Sequence, residues 1–450
     1  MNAIDLRDLT HELVTRARRA GADAADAVAG ESDGLEVGVR VGEVEKLKRS
    51  RERRAGLRVF VGGATAIASS GDLSTTGIDA LVADAVALAR ITAPDAYGGL
   101  PDTADLATSV PDLDLYDPLV ESFEPASALE RCRVAEDAAC AVSAEITNSE
   151  GAEFGCGGGQ VALASSQGFG GGYQWSTFSA STAPIAVRDG QMQRDYWYST
   201  NRRYAALEPA QAIGREAARR TLRRLGGRRV PTGEYPIVFD PEISASLLRH
   251  LAGAISGSAL YRGMSFLVGK LGESIAAEGV TIVDDPLRPG GLGSRPFDGE
   301  GVTSTRRTIV ERGVLKSYLL DSYSARRLGL RTTGHAARAT GDAPGVSPTN
   351  FHLEAGPHSP EAIIGSVATG LYVTELIGFG VNTVTGDYSR GAAGLWIEGG
   401  ELTHPVEEIT IAGNLADMFR RITMVGSDLR FRGATAAPTV KIEPMTIAGT

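Results

Sequence analysis

The sequence is poor in cysteine: Cys132, Cys140 and Cys156 are its only three, and no Cys-x-x-Cys pair occurs. So sparse and odd a count excludes a disulfide framework and points to reduced thiols in a cytosolic protein. Long apolar runs are missing too. None approaches the ~18 residues that a spanning helix needs, and Met1 to Arg19 alternates charged and apolar residues without a signal-peptide core. A cytoplasmic location is therefore expected, with no membrane partner. Positive charge is in deficit: 45 Lys and Arg stand against 55 Asp and Glu, a formal net charge of −10. That argues against nucleic acid as a ligand. The basic run Lys46 to Arg54 and the doublets Arg219-Arg220, Arg223-Arg224 and Arg228-Arg229 alternate with Glu or apolar residues and read as solvated faces.

Complete catalytic sets are absent as well. A zinc peptidase needs two imidazoles on one helix and a carboxylate to handle the water proton. His11-Glu12 has no second histidine one turn on, and His250 has Ser246 and Ala254 one turn away on either side. His335, His352, His358 and His404 are scattered. The nearest approach to a nucleophile elbow is Gly386-Asp387-Tyr388-Ser389-Arg390-Gly391, with Asp387 where a glycine should stand. Gly155-Cys156-Gly157 and Gly168-Phe169-Gly170 each lack the third glycine of a dinucleotide loop and read as turns and bulges. Asp298-Gly299-Glu300 either pairs two acids for acid/base or cation chemistry or forms a hydrogen-bonded turn.

What is present is a globular pattern. At 450 residues with 42% hydrophobic and 22% charged positions, the chain suits two or three domains. Leu6, Leu9, Leu13, Val14 and Ala17 give a helix over residues 4–20. Period-two stretches at Leu35-Val37-Val39 and at Leu57-Val59-Val61, opposite Arg58 and Phe60, give half-buried antiparallel strands. Thr76 with Asp79 opens a helix through Ala89, and a Pro/Asp/Gly-rich connection covers 95–125. A helix at 126–142, twisted strands at 146–204 and a helix at 209–225 follow. Beyond Gly226-Gly227, Tyr235 to Phe239 is a strand and Asp240-Pro241-Glu242 caps a helix over 241–258. Hairpins are expected at Glu311-Arg312-Gly313 and Glu398-Gly399-Gly400-Glu401. The expected fold is α+β: a sandwich-like α/β N-terminal domain, residues 1–230, then a β-rich, barrel-like C-terminal domain, residues 231–450.

Several long segments carry a family resemblance: GMSFLVGKLGE at 263–273, PFDGEGVT at 296–303, DSYSARRLGLRTTG at 321–334, GDYSRGAAG at 386–394, EITIAGNLADM at 408–418 and EPMTIAG at 443–449. Together they resemble the TldD/PmbA family, specifically its PmbA (TldE) branch, over nearly the whole chain. The resemblance implies a cytoplasmic peptidase assembly acting on unfolded peptides, in a family linked to microcin maturation and antitoxin turnover and once labelled modulators of DNA gyrase. In that family the TldD branch holds zinc with a His-Glu-x-x-x-His helix and a late cysteine, while the PmbA branch lacks both and completes a heterodimer around a cavity. Counted back without a gap from Gly269 to Glu273, the metal helix falls on Leu248 to Gly253: leucine and glycine take the ligand positions and Arg249 the base position. No cysteine follows Cys156.

The expectation is then a subunit with no metal and no catalytic residue of its own, zinc belonging to a TldD-type partner, and unfolded peptide as substrate. Asp387, Tyr388, Ser389 and Arg390 form the expected contact surface, offering an acceptor, a stacking ring and a bidentate donor. An Asp387–Arg390 pair that only stabilises a loop is the alternative. Tyr261, Arg262 and His335 are further candidates. Two rival functions stay open: an autonomous homodimeric peptidase using Ser389 or dispersed His and Asp residues, and a non-enzymatic peptide-binding adaptor.

Overall fold

The computed structural model describes residues 5–450. Its first unit contains α1 (Leu6–Arg19), β1 (Ala24–Arg40), β2 (Glu43–Val61), β3 (Ala64–Ser70), α2 (Thr75–Ile91), α3 (Pro125–Cys140), β4 (Ile146–Ser165), β5 (Gly170–Arg188), β6 (Gln191–Arg194), β7 (Trp197–Asn201) and α4 (Ala210–Leu222). Asp5 caps α1 by accepting from the Arg7 amide, and the apolar stripe Leu6, Leu9, Leu13, Val14, Ala17 is buried. Ile4, where this helix was expected to begin, lies outside the described residues. The strands form one antiparallel sheet in the order β3-β2-β1-β4-β5-β6, with β7 also on β5. Residues of like parity on β1, from Ala25 to Val39, pack against all four helices: α1 and α2 at one end, α3 and α4 at the other.

Three local expectations change. Helix α2 is capped by Ser74, not Thr76; the Ser74 hydroxyl accepts from Gly77 N at 3.1 Å and its own amide is held by Asp72. Arg58 and Phe60 are buried like Leu57 and Val59, because the second unit covers the opposite face of this end of the sheet. Val28, Leu163 and Phe169 pack there on Phe297. Gly155 to Gly159 run inside β4 rather than in turns, and a Cβ on Gly159 would meet the Glu31 carbonyl at 2.1 Å, so β1 and β4 approach too closely for a side chain. Gly168, with φ 96°, does serve a turn. Lys46 and Arg49 of β2 project into solvent and meet the acids of β1: Lys46 with Glu36 at 2.7 Å, Arg49 with Asp33 at 3.4 Å.

The second unit opens with β8 (Gly233–Phe239), α5 (Pro241–Ala254), α6 (Gly257–Tyr261), β9 (Ile282–Asp284), β10 (Arg307–Glu311), β11 (Val314–Leu315) and α7 (Ser322–Leu328). Then come β12 (Ala336–Ala337), β13 (Gly345–Val346), β14 (Phe351–Leu353), α8 (Pro360–Gly365), β15 (Thr369–Ile377), β16 (Asp387–Glu398), β17 (Glu401–Asn414), α9 (Leu415–Arg420), β18 (Ile422–Val425), β19 (Thr435–Ala436) and β20 (Val440–Ala448). Its main sheet runs β17-β16-β15-β8-β20-β18, and β17 also pairs with β20, which closes five strands into a barrel. Asp240 accepts from Glu242 N and Pro241 fills the first helical position, so α5 starts where its sequence predicts. Leu247 and Leu251 of α5 join Ile237, Val373, Trp396 and Ile411 of the barrel in one core. The fold is thus α+β with a β-rich, barrel-containing second half.

The connection after α2 is long because it is a strap. Its backbone is paired across the second unit: Ala107 N donates to Gly301 O at 2.9 Å, Thr303 N to Asp105 O at 2.9 Å and Gly290 N to Leu113 O at 2.7 Å.

Candidate functional site

Residues Asp387 to Arg390 do not form a loop. They open β16, with Val381 to Gly386 as the turn before them, and alternation along the strand separates their roles. Asp387 accepts from the Thr385 hydroxyl at 2.6 Å and from Asn414 Nδ2 at 3.3 Å, so it serves the turn. Tyr388 is 1% exposed, and its ring sits edge-on to His250 at 6.1 Å between centroids. It offers no stacking surface. Its hydroxyl and the Nε2 of His250 are both buried without a hydrogen-bond partner. Burial pushes the Tyr388 phenol well above its ordinary range and lowers the His250 imidazole, with the charge of Arg390 adding to the second effect. Ser389 is exposed, its amide donating to Gly380 O at 2.7 Å. Arg390 Nε donates to Ile377 O at 3.3 Å, and among the described residues it makes no pair with Asp387. Three positions apart on a strand, the two side chains leave from opposite faces.

A hydroxyl buried without a partner costs free energy. Tyr388→Phe should leave stability unchanged or raise it by about 1 kcal/mol, read from the urea midpoint. A loss above about 1 kcal/mol would reveal a hidden hydrogen bond at that oxygen.

Tyr261 and Arg262 end α6 and contact each other, Arg262 Nε donating to the Tyr261 hydroxyl at 3.2 Å. The Tyr261 ring meets Tyr323 edge-on at 5.8 Å, and Arg327 lies 5.0 Å from it and 4.7 Å from Tyr97. Tyr323 donates to Asp95 at 2.9 Å, so this cluster ties the second unit to the strap. His335 is buried: Nε2 lies 3.1 Å from Asp284 and Nδ1 2.8 Å from the Thr333 hydroxyl. That is an acid–imidazole–hydroxyl line, yet the three residues are 0%, 2% and 9% exposed, which leaves no approach for a substrate. Burial, offset in part by Asp284, lowers the imidazole below its ordinary value and keeps it neutral. The structure therefore brings together none of Tyr261, His335 and the β16 residues.

Asp298 and Glu300 form the hydrogen-bonded turn. Asp298 accepts from the amides of Glu300, Val302 and Ala336 at 2.8, 2.9 and 3.0 Å. Burial and the charge of Glu300 push it up to about 7. Glu300 also meets Arg58 at 3.2 Å and accepts from Ser322 N at 2.9 Å. Asp26 is fully buried between Arg58 and Arg338. This buried chain of charges joins the two units and was not anticipated.

A cleft of 510 Å³ between the units was also missed. Trp197 of β7 forms its wall, with the Arg220 and Arg432 guanidinium groups 5.0 and 4.1 Å from its ring centre. Arg432 pairs with Glu208 at 2.7 Å and Glu242 at 3.2 Å, and Tyr198 donates to Glu242 at 2.8 Å. The doublet Arg219-Arg220 was the one sequence signal for it, and only Arg220 of the two faces inward.

Comparison with known proteins gives these features a setting. Residues 25–89, 118–225 and 232–449 match, in order, domain 1, the central domain and the C-terminal domain of the PmbA/TldA metallopeptidase models. The chain is 41% identical to Metalloprotease PmbA of Escherichia coli, over 95% of this chain and 92% of that one. It is 36% identical to the Metalloprotease PmbA homolog of Haemophilus influenzae, over 99% and 96%. A crystal structure of a putative modulator of DNA gyrase from Bacteroides thetaiotaomicron superposes with a TM-score of 0.92 at 28% identity, covering 100% of both chains. The chain belongs to the TldD/PmbA metallopeptidase family, on its PmbA, or TldE, branch.

Proposed function

We propose that this chain is the subunit of a TldD/PmbA peptidase assembly that binds no zinc, and that it holds extended, unfolded peptide beside the zinc of a TldD-type partner. The observation that carries this reading is the donor set of α5. At the positions where the metal-bearing branch needs ligands and base, Leu248 is buried in the core, Gly253 has no side chain and Arg249 is an exposed cation. These residues do not fit zinc. The neighbouring His250 faces the Tyr388 ring and the positive charge of Arg390, and among the described residues no three His, Cys, Asp or Glu side chains gather as a ligand set. Burial raises the thiols of Cys132 and Cys156 to about 12 and about 11, so neither is a ready thiolate ligand.

Autonomous hydrolysis has little support, because the Ser389 hydroxyl has no imidazole partner among the described residues and His335 is enclosed. No described helix is long and apolar enough to cross a membrane, in keeping with a cytoplasmic assembly. The metal half of the reading is tested by dialysing the purified chain against zinc and measuring its metal content. Substoichiometric zinc is expected. About one zinc per chain, lost in His250→Ala, would overturn it.

A further inference from the structure

The cleft beside Trp197 carries more positive charge than its own carboxylates neutralise. Arg432 is spoken for by Glu208 and Glu242, and Glu375 by Arg224 at 2.6 Å. Arg220 is buried, with a side chain 8% exposed, and its Nε has no hydrogen bond; the nearest carboxylates, Asp195 and Asp240, stand at 3.5 and 3.9 Å. At the mouth, Arg249 and Arg430 line the cleft, both exposed, and neither pairs with any described residue. Two free guanidinium groups lining the same cleft as a third, whose Nε lacks a hydrogen bond, make a site for a carboxylate, which matches their fork of donors. In a chain of net charge −10 this local excess is the exception, and it attracts single carboxylates rather than polyanions.

The surroundings specify what carries that carboxylate. Strand β15 pairs with β8 only as far as Val373, so on that edge Thr374 to Ile377 have no neighbouring strand, while the other edge keeps β16. Thr374, Glu375 and Leu376 line the cleft. An open strand edge grips an extended main chain whatever its sequence. Tyr196, 53% exposed, and Ile243 supply an apolar wall for its side chains.

We propose that this cleft binds the carboxylate of an extended peptide, whether a C-terminus or an Asp or Glu side chain, between Arg249 and Arg430 with the peptide laid along the free edge of β15. The proposal rests on the peptide-holding role above and sharpens it to acidic peptides. The test uses the isolated full chain and fluorescence anisotropy with four short unstructured peptides of otherwise equal sequence: free C-terminus, amidated C-terminus, amidated with a central Glu, and amidated with a central Gln. At least one carboxylate-bearing peptide should bind about tenfold tighter than its neutral counterpart, the effect of one charge-assisted contact. If the free C-terminus gives the gain, the terminal carboxylate is the ligand; if the Glu peptide does, the side chain is. The double variant Arg249→Ser/Arg430→Ser should erase the difference and leave neutral-peptide binding alone, and Arg249→Lys/Arg430→Lys should keep part of it. Equal binding of all four peptides, no binding, or a preference that survives the double Ser variant would overturn the proposal. Because no partner is present, these results are separable from any failure of partner-dependent proteolysis.

Discussion

Replacing Arg58 with methionine should lower the stability of the chain by about 3–5 kcal/mol, the usual cost of leaving a buried carboxylate unpaired. Arg58 is buried beneath the second unit, where it forks to Asp26 and reaches Glu300 at 3.2 Å. Burial alone would raise the Asp26 carboxyl; Arg338 and Arg58 outweigh it and hold the group below its ordinary range. Asp26 is therefore ionised at neutral pH and depends on both guanidinium groups. Methionine fills much of the volume of the arginine stem, so the loss would report charge rather than a cavity. After the change Asp26 keeps Arg338, whereas Glu300 keeps only the Ser322 amide among its described partners. Urea unfolding followed by circular dichroism would measure the effect. A loss under about 1 kcal/mol would mean that water or rearranged neighbours replace the guanidinium, and that the link between units is not stabilised by it.

That network marks where reading the sequence stops. Arg58 lies at the polar parity of a textually half-buried strand, opposite Leu57 and Val59, and nothing within β2 says that Glu300, 242 positions later, covers it. Local signals fared better where the physics is local. Asp240-Pro241 sets the start of α5 because a cap and a fixed proline φ act within one turn. The Gly399-Gly400 turn, with φ of 59° and 83°, joins β16 and β17 because few other residues adopt that backbone. Ser74 and Thr76 are both competent caps, and the choice fell to Ser74 through Asp72, a partner outside the pattern used.

The candidate site was legible only in outline. Gly386 and Gly391 suggested a turn, but Gly391 sits in β16 opposite Ile377, where a Cβ would lie 3.3 Å from the Ile377 Cβ. Strand alternation then carries Tyr388 into the core, and Arg390, two positions on, leaves from the same face with its charge near His250. Trp197, Arg220, Arg249 and Arg430 come from four separate segments, and their meeting depends on how the two units pack. Sequence spacing holds no record of that.

The central claim concerns two chains, and mixing them tests it most directly. This chain keeps the scaffold of its family along nearly its whole length, and in the reading proposed above Leu248 and Gly253 of α5 stand where a metal-bearing relative would need ligands. What such a scaffold can add is position: an extended peptide held in register beside another subunit's zinc reacts with an entropic advantage on the order of several kcal/mol. The measurement is cleavage of unstructured casein by this chain, by a TldD-type protein from the same cell, and by the two together. The account predicts proteolysis only from the mixture, abolished by changing the partner's metal-binding histidines and unaffected by Ser389→Ala here. Chelator-resistant cleavage by this chain alone would contradict it.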